Sequence, residues 1–192
     1  GAFTSKPGTY HIEAKDTSVG TDAAFKVDKV WYTFPIGDKF TATVGPLIEN
    51  YYMLAATPSV YKPGALKAFK LGGHASAFGA STSTGLGLKY VGDNGFAVST
   101  TVNSKKADDA GKGFLTKEDQ NKINTQVAYT ADNYHLSATY SRQQGWNSWS
   151  YYSTKDLYTN ADAVTSDSDS VALRAWWRPE ETGTATPSIS VG

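Results

Sequence analysis

The chain has 192 residues, of which 40% are hydrophobic and 13% aromatic, with 18 basic side chains balancing 18 acidic ones and no cysteine. Zero net charge argues against a nucleic-acid protein, which carries a basic excess, and the missing cysteines exclude disulfides and thiolate metal sites. Negative mean hydropathy and the lack of any apolar run of spanning length exclude a bundle of transmembrane helices, but suit a β-barrel with a polar interior.

In chain order, a short strand is expected over residues 9–15, followed by four hairpins. The first pairs residues 25–34 with 39–44 across Pro35-Ile36-Gly37-Asp38, with Phe34 and Phe40 beside the turn. The second pairs 78–91 with 96–102 across Gly92-Asp93-Asn94-Gly95, flanked by Tyr90 and Phe96. The third pairs 123–129 with 134–140, flanked by Tyr129 and Tyr134. The fourth runs over 171–177, ends on Trp177, turns through 178–183 and returns over 187–191. Glycine, asparagine, aspartate and proline supply the backbone angles that tight turns need.

Between the hairpins lie long polar stretches, 45–77, 103–122 and 141–169. Loops of that length are uncommon in compact domains. Their strict alternation with short turns matches an outer-membrane barrel, which has short periplasmic turns, long outer loops and aromatic girdles. The seven turn-flanking aromatics, Phe34, Phe40, Tyr90, Phe96, Tyr129, Tyr134 and Trp177, are the candidate girdle.

Strand parity points the same way. From residue 78, Phe78, Ala80, Thr82, Thr84, Leu86, Leu88 and Tyr90 share a face opposite Gly79, Ser81, Ser83, Gly85, Gly87 and Lys89. Tyr134, Leu136, Ala138 and Tyr140 oppose His135, Ser137 and Thr139, and Val171, Leu173, Ala175 and Trp177 oppose Ala172, Arg174 and Trp176. A soluble sandwich alternates in the same way; the turn and loop asymmetry and the aromatic placement favour the barrel. Parity then nominates Lys29, Lys39, Lys89, Asn124, Gln126, His135 and Arg174 as pore-lining, although a one-residue register error would flip each. For Arg174 the alternative is a guanidinium in hydrocarbon, costing roughly 2 to 4 kcal/mol.

No acidic residue occurs between positions 50 and 92, where Lys62, Lys67, Lys70 and Lys89 lie. If loop 45–77 dips into the lumen, it makes a basic constriction with Tyr51, Tyr52 and Tyr61, and lysine rings favour anions. The alternative places this loop outside as a solvated surface. Asp156, Asp162, Asp167 and Asp169 read as a hydrated loop without the glycine and terminal glutamate of an EF-hand. His11, His74 and His135 are scattered, so no metal site and no cofactor is assigned. Nor is an enzyme expected: Gly85-Leu86-Gly87 lacks the third glycine of a dinucleotide fingerprint, no G-x-S-x-G elbow occurs, and Glu180-Glu181 sits in a turn. A competing function is a soluble or surface-exposed β-sandwich binding carbohydrate on a platform of Trp146, Trp149, Tyr151 and Tyr152.

The run Trp31-Tyr32-Thr33-Phe34-Pro35-Ile36-Gly37-Asp38-Lys39-Phe40-Thr41-Ala42-Thr43-Val44-Gly45-Pro46 resembles a segment of cyanobacterial outer-membrane porins, the iron-uptake porins related to carbohydrate-selective porins. Ala172-Leu173-Arg174-Ala175-Trp176-Trp177-Arg178-Pro179-Glu180-Glu181-Thr182-Gly183 and Pro187-Ser188-Ile189-Ser190-Val191-Gly192 are similar to that family's closing strands. With the order of hairpins, the resemblance covers most of residues 25–192. It implies a homotrimer in the outer-membrane bilayer, a barrel of about sixteen strands, a wall-binding surface-layer-homology domain, and passive diffusion of small hydrophilic solutes and ions, iron species included. The chain departs from this pattern, with about eight strands plus the one at 9–15 and no wall-binding domain. An open edge in lipid leaves backbone groups unsatisfied at several kcal/mol each, so residues 1–192 are expected to be one porin domain's partial barrel of 8–9 strands.

Overall fold

A computed structural model describes residues 8–16, 25–60, 75–78, 82–145, 167–181 and 185–192. The fold is all-β. Nine strands, β1 (Thr9–Asp16), β2 (Phe25–Ile36), β3 (Phe40–Glu49), β4 (Thr82–Val91), β5 (Phe96–Ser104), β6 (Asn121–Thr130), β7 (Tyr134–Gln144), β8 (Ser168–Trp177) and β9 (Ile189–Val191), form one sheet. They pair in chain order, every neighbour antiparallel. Among the described residues no pairing joins β1 to β9, so these two strands are the edges. Helix is limited to a 3-10 turn, Asn50–Met53, and a single helical turn, α1 (Ala75–Phe78).

The turns lie where the glycine and Asx signals put them, but the strands run further than those signals suggest. β2 continues through Pro35 and Ile36, leaving a three-residue turn over 37–39, and β5, β6, β7 and β8 extend toward the long connections. Residue 78 is a correction. Phe78 is not the first residue of β4 and does not face outward; it closes α1, wholly buried against Ala77 and Ala172. Lys39 likewise leaves its expected strand for the turn, where it pairs with Asp93 of the next turn (2.7 Å).

The two faces of this sheet have inverted polarity. On β7, Leu136 is 55% exposed while His135 and Thr139 are 1% and 0%; on β8, Leu173 is 65% exposed and Arg174 5%. The pattern is shared by β4 to β8. Leu86, Leu88, Val127, Tyr129, Leu136, Tyr140 and Val171 are exposed, whereas Ser99, Thr101, Asn103, Lys122, Asn124, Gln126, Ser141 and Gln143 are buried. The conventional apolar clusters are correspondingly small, one of Trp31, Ile48 and Met53 and one around Phe78.

Register slips occur between Val30 and Tyr32 on β2 and between Gly45 and Ile48 on β3. A side chain at 45 would meet the Val30 carbonyl at 2.5 Å, so glycine lets the strands approach there. Such bulges bend a strand, and beyond this one β3 runs directly into the 3-10 turn.

Candidate functional site

The buried polar face is crossed by the connection that follows β3. The 3-10 turn Asn50–Met53 lies against β3, β4 and β5, and α1 lies against β7 and β8. Between them residues 54–60 form a strap, pinned by strand side chains that bond its backbone. Ala55 N–H donates to Ser99 Oγ (2.9 Å), Ala56 N–H donates to Gln126 Oε1 (3.0 Å), and Gln126 Nε2 donates to Ala56 O (3.1 Å). Asn103 Nδ2 donates to Ile48 O (3.1 Å) at one end, and Asn124 Nδ2 to Ala77 O (2.6 Å) at the other. A loop laid on a sheet exposes backbone polar groups that must find partners; serine, asparagine and glutamine on β5 and β6 provide them.

Space for the strap comes partly from Gly87 on β4. A Cβ there would approach Met53 Cβ and Cγ at 3.2 Å. At the β1–β2 end the strap is held by Tyr52, whose hydroxyl donates to Glu13 Oε1 (3.5 Å) and whose ring packs near Trp31 (centroids 5.2 Å). Lys29 sits among three carboxylates, donating to Glu13 (2.6 Å) and Asp28 (3.0 Å) with Glu49 at 3.3 Å. His11 donates to the other Glu13 oxygen (2.7 Å) and stacks on Trp31 (centroids 4.0 Å). Burial and the adjacent Glu49 carboxylate push the Tyr51 phenol well above its ordinary range, so it stays neutral at physiological pH.

The expected pore-lining residues divide clearly. Lys29, Asn124, Gln126, His135 and Arg174 lie on the buried polar face, and Lys89 lines a cavity on it. Lys39, in its turn, does not; Asp93 raises its pKa. His135 bonds Thr130 Oγ1 (2.8 Å) and Ser137 Oγ (2.9 Å) and stacks near Trp176 (5.5 Å). Of the constriction residues, Tyr51 and Tyr52 belong to the 3-10 turn, while Tyr61, Lys62, Lys67 and Lys70 lie outside the described residues. Trp146, Trp149, Tyr151 and Tyr152 lie outside them too.

Sequence reading missed Ser99, Asn103 and Lys122, although parity carried from Asn124 and Gln126 places Lys122 on the same face. It also missed Glu13 and Glu49, which make the described part of the strap's surroundings mixed in charge and not simply basic. Lys105, just past β5, has its pKa lowered by burial and secondarily by Lys106.

No family model, curated protein or solved structure matches this chain.

On the outward-facing side the seven turn-flanking aromatics cluster at the short-turn end of the sheet. Phe40 and Tyr90 are cross-strand partners with rings 5.1 Å apart, Phe96 pairs with Tyr129, and Tyr134 pairs with Trp177. Tyr129 and Tyr134 approach to 5.9 Å across the third turn. A belt of rings thus runs along the short-turn end from β2 to β8. Above it the exposed face is nearly free of charge as far as Arg142 and Asp169, and the hydroxyls of Thr100 and Thr125 bond each other (3.2 Å). A concavity of about 540 Å³ on this face, between Phe96, Tyr129, Leu136 and Leu173, has an almost wholly apolar lining.

Proposed function

We propose that this sheet is wall from an outer-membrane porin, forming part of a water-filled channel for passive diffusion of small hydrophilic solutes and inorganic ions. The observation that carries the reading is the inverted polarity: large apolar side chains face outward and polar ones face inward. In water that arrangement exposes a contiguous apolar surface far beyond what soluble monomers tolerate. In a bilayer it is the arrangement required, apolar toward lipid and polar toward the lumen.

Element lengths agree. β2 to β8 have 9 to 12 residues, against the 9–11 that a tilted strand needs to cross a bilayer, as a rough guide. The aromatic belt falls where a membrane–water interface would lie, where amphipathic rings are favoured. On the inner face Ser83 Oγ, Asn103 Oδ1 and Thr139 Oγ1 have no protein partner among the described residues, and lumen water would satisfy them.

In this reading the 3-10 turn and the strap, residues 50–60 together, are a constriction element. Solutes pass between it and the free parts of the wall at rates set by width and charge. The sandwich alternative fares worse on the same observation, because sandwiches bury their apolar faces against each other and here that face is outward.

The test is the intact protein purified in detergent and added to planar bilayers. Stepwise ion conductance is expected, with loss of solubility when detergent is removed. A protein that stays monodisperse without detergent and leaves the bilayer silent would overturn the porin reading. Reversal potentials in a salt gradient then read selectivity; cation preference would remove the basic-constriction idea while leaving the channel.

A further inference from the structure

A cavity of about 190 Å³ lies on the polar face where the 3-10 turn meets β1 to β4. We propose that it is a binding subsite for small hydroxylated carboxylates, organic monoanions of three or four carbons. The proposal rests on the porin reading for how such a solute reaches the cavity.

Size comes first. The space equals that of about six liquid waters, which admits a short-chain solute and excludes an oligosaccharide. The charge of the wall sets the sign. Lys89 lines the cavity and takes part in none of the ion pairs among the described residues. Among the described residues no carboxylate lines the cavity, and Glu13, which bonds the lining residues His11 (2.7 Å) and Tyr52 (3.5 Å), is also held by Lys29 at 2.6 Å. A neutral polyol would leave the Lys89 ammonium without a counter-charge as it lost water, an unfavourable exchange. A single carboxylate supplies the missing charge, and one ammonium matches a monoanion better than a dianion.

Hydroxyl recognition follows from register. Thr41 is the cross-strand partner of Lys89, and directly opposed side chains stand within bonding reach of a shared group. Thr43, two residues along the same face, is bonded to Thr33 Oγ1 at 3.0 Å, which orients both hydroxyls on the cavity floor. The Tyr52 ring and Met53 close the other side, giving the carbon skeleton an apolar wall. His11 covers one face of Trp31 in a parallel stack, so Trp31 contributes only part of its ring. The cavity therefore offers one cation, a row of hydroxyls and an apolar roof, the complement of a hydroxy acid.

Isothermal titration of the intact protein in detergent, with D-glycerate against glycerol, tests the site without requiring a channel. Glycerate is expected to bind at least about tenfold more tightly than glycerol. Lys89→Gln should abolish that preference, and Lys89→Arg should keep it. Equal affinity for the two solutes, or a preference unchanged in Lys89→Gln, would overturn the proposal. Bilayer recording separates the two readings. Conductance without glycerate preference leaves the porin standing and removes the subsite; glycerate preference without conductance leaves the subsite and removes the porin.

Discussion

Two adjacent residues on β7 live in opposite environments: Leu136 is 55% exposed, and His135, beside it, 1%. The same step repeats across β4 to β8, so the sheet has one apolar and one polar surface, with the polar one covered. The two surfaces are also built by different rules. On the outer face cross-strand partners are mostly apolar or aromatic, and the mid-strand threonines Thr100 and Thr125 satisfy each other. On the inner face side chains reach away from their own strands to bond backbone elsewhere, Ser99 and Gln126 to the strap, Asn103 to the end of β3 and Asn124 to α1. The outer face therefore excludes charge, while the inner face takes polar groups that bond protein or water.

Substitutions on the two faces should fail differently. The largest effect is expected for Leu173→Arg on the outer face, a residue 65% exposed and midway along β8 between Trp177 of the aromatic belt and Asp169. A charge near the middle of the apolar band costs roughly 2 to 4 kcal/mol, read as a lowered midpoint of urea unfolding from lipid vesicles. An effect no larger than that of an ordinary surface change would deny this face to lipid. Next is Gln126→Leu on the inner face, which orphans the Ala56 N–H and C=O. That loss costs about 1–3 kcal/mol, and faster amide exchange at Ala55 and Ala56 should accompany it while β7 and β8 stay protected. Unchanged exchange at Ala56 would show that the strap does not depend on its glutamine. Smallest is Lys39→Gln in the turn, where an exposed pair with Asp93 should leave both stability and conductance unaltered within error; a clear change in conductance would return Lys39 to the pore.

The short-turn end was legible in the sequence because its chemistry is local. Gly92-Asp93-Asn94-Gly95 and the flanking rings specify a turn without help from the rest of the chain, and a period of two carries the face assignment from Tyr129 back to Ile123. The long-loop end was less legible. Asn103, Ser104, Asn121, Lys122, Gln143 and Gln144 extend β5, β6 and β7, but a strand that points polar residues inward looks like a polar loop at its ends. Phe78 misled for a related reason: it continues the apolar alternation of β4, yet a helical turn buries it against Ala172. The strap itself was readable only as a choice between inside and outside. Its decisive contact joins Ala56 to Gln126, 70 residues apart, and no local pattern encodes such a pairing.

The central claim is that lipid meets the apolar face of this sheet. Because the chain has no cysteine, single cysteines carrying spin labels can be placed at positions 136 to 141 without background. In the intact protein reconstituted into vesicles, the account predicts strong relaxation by lipid-soluble oxygen at 136, 138 and 140 and weak relaxation at 137, 139 and 141. A uniform response along β7, or oxygen contact strongest at the odd positions, would contradict it.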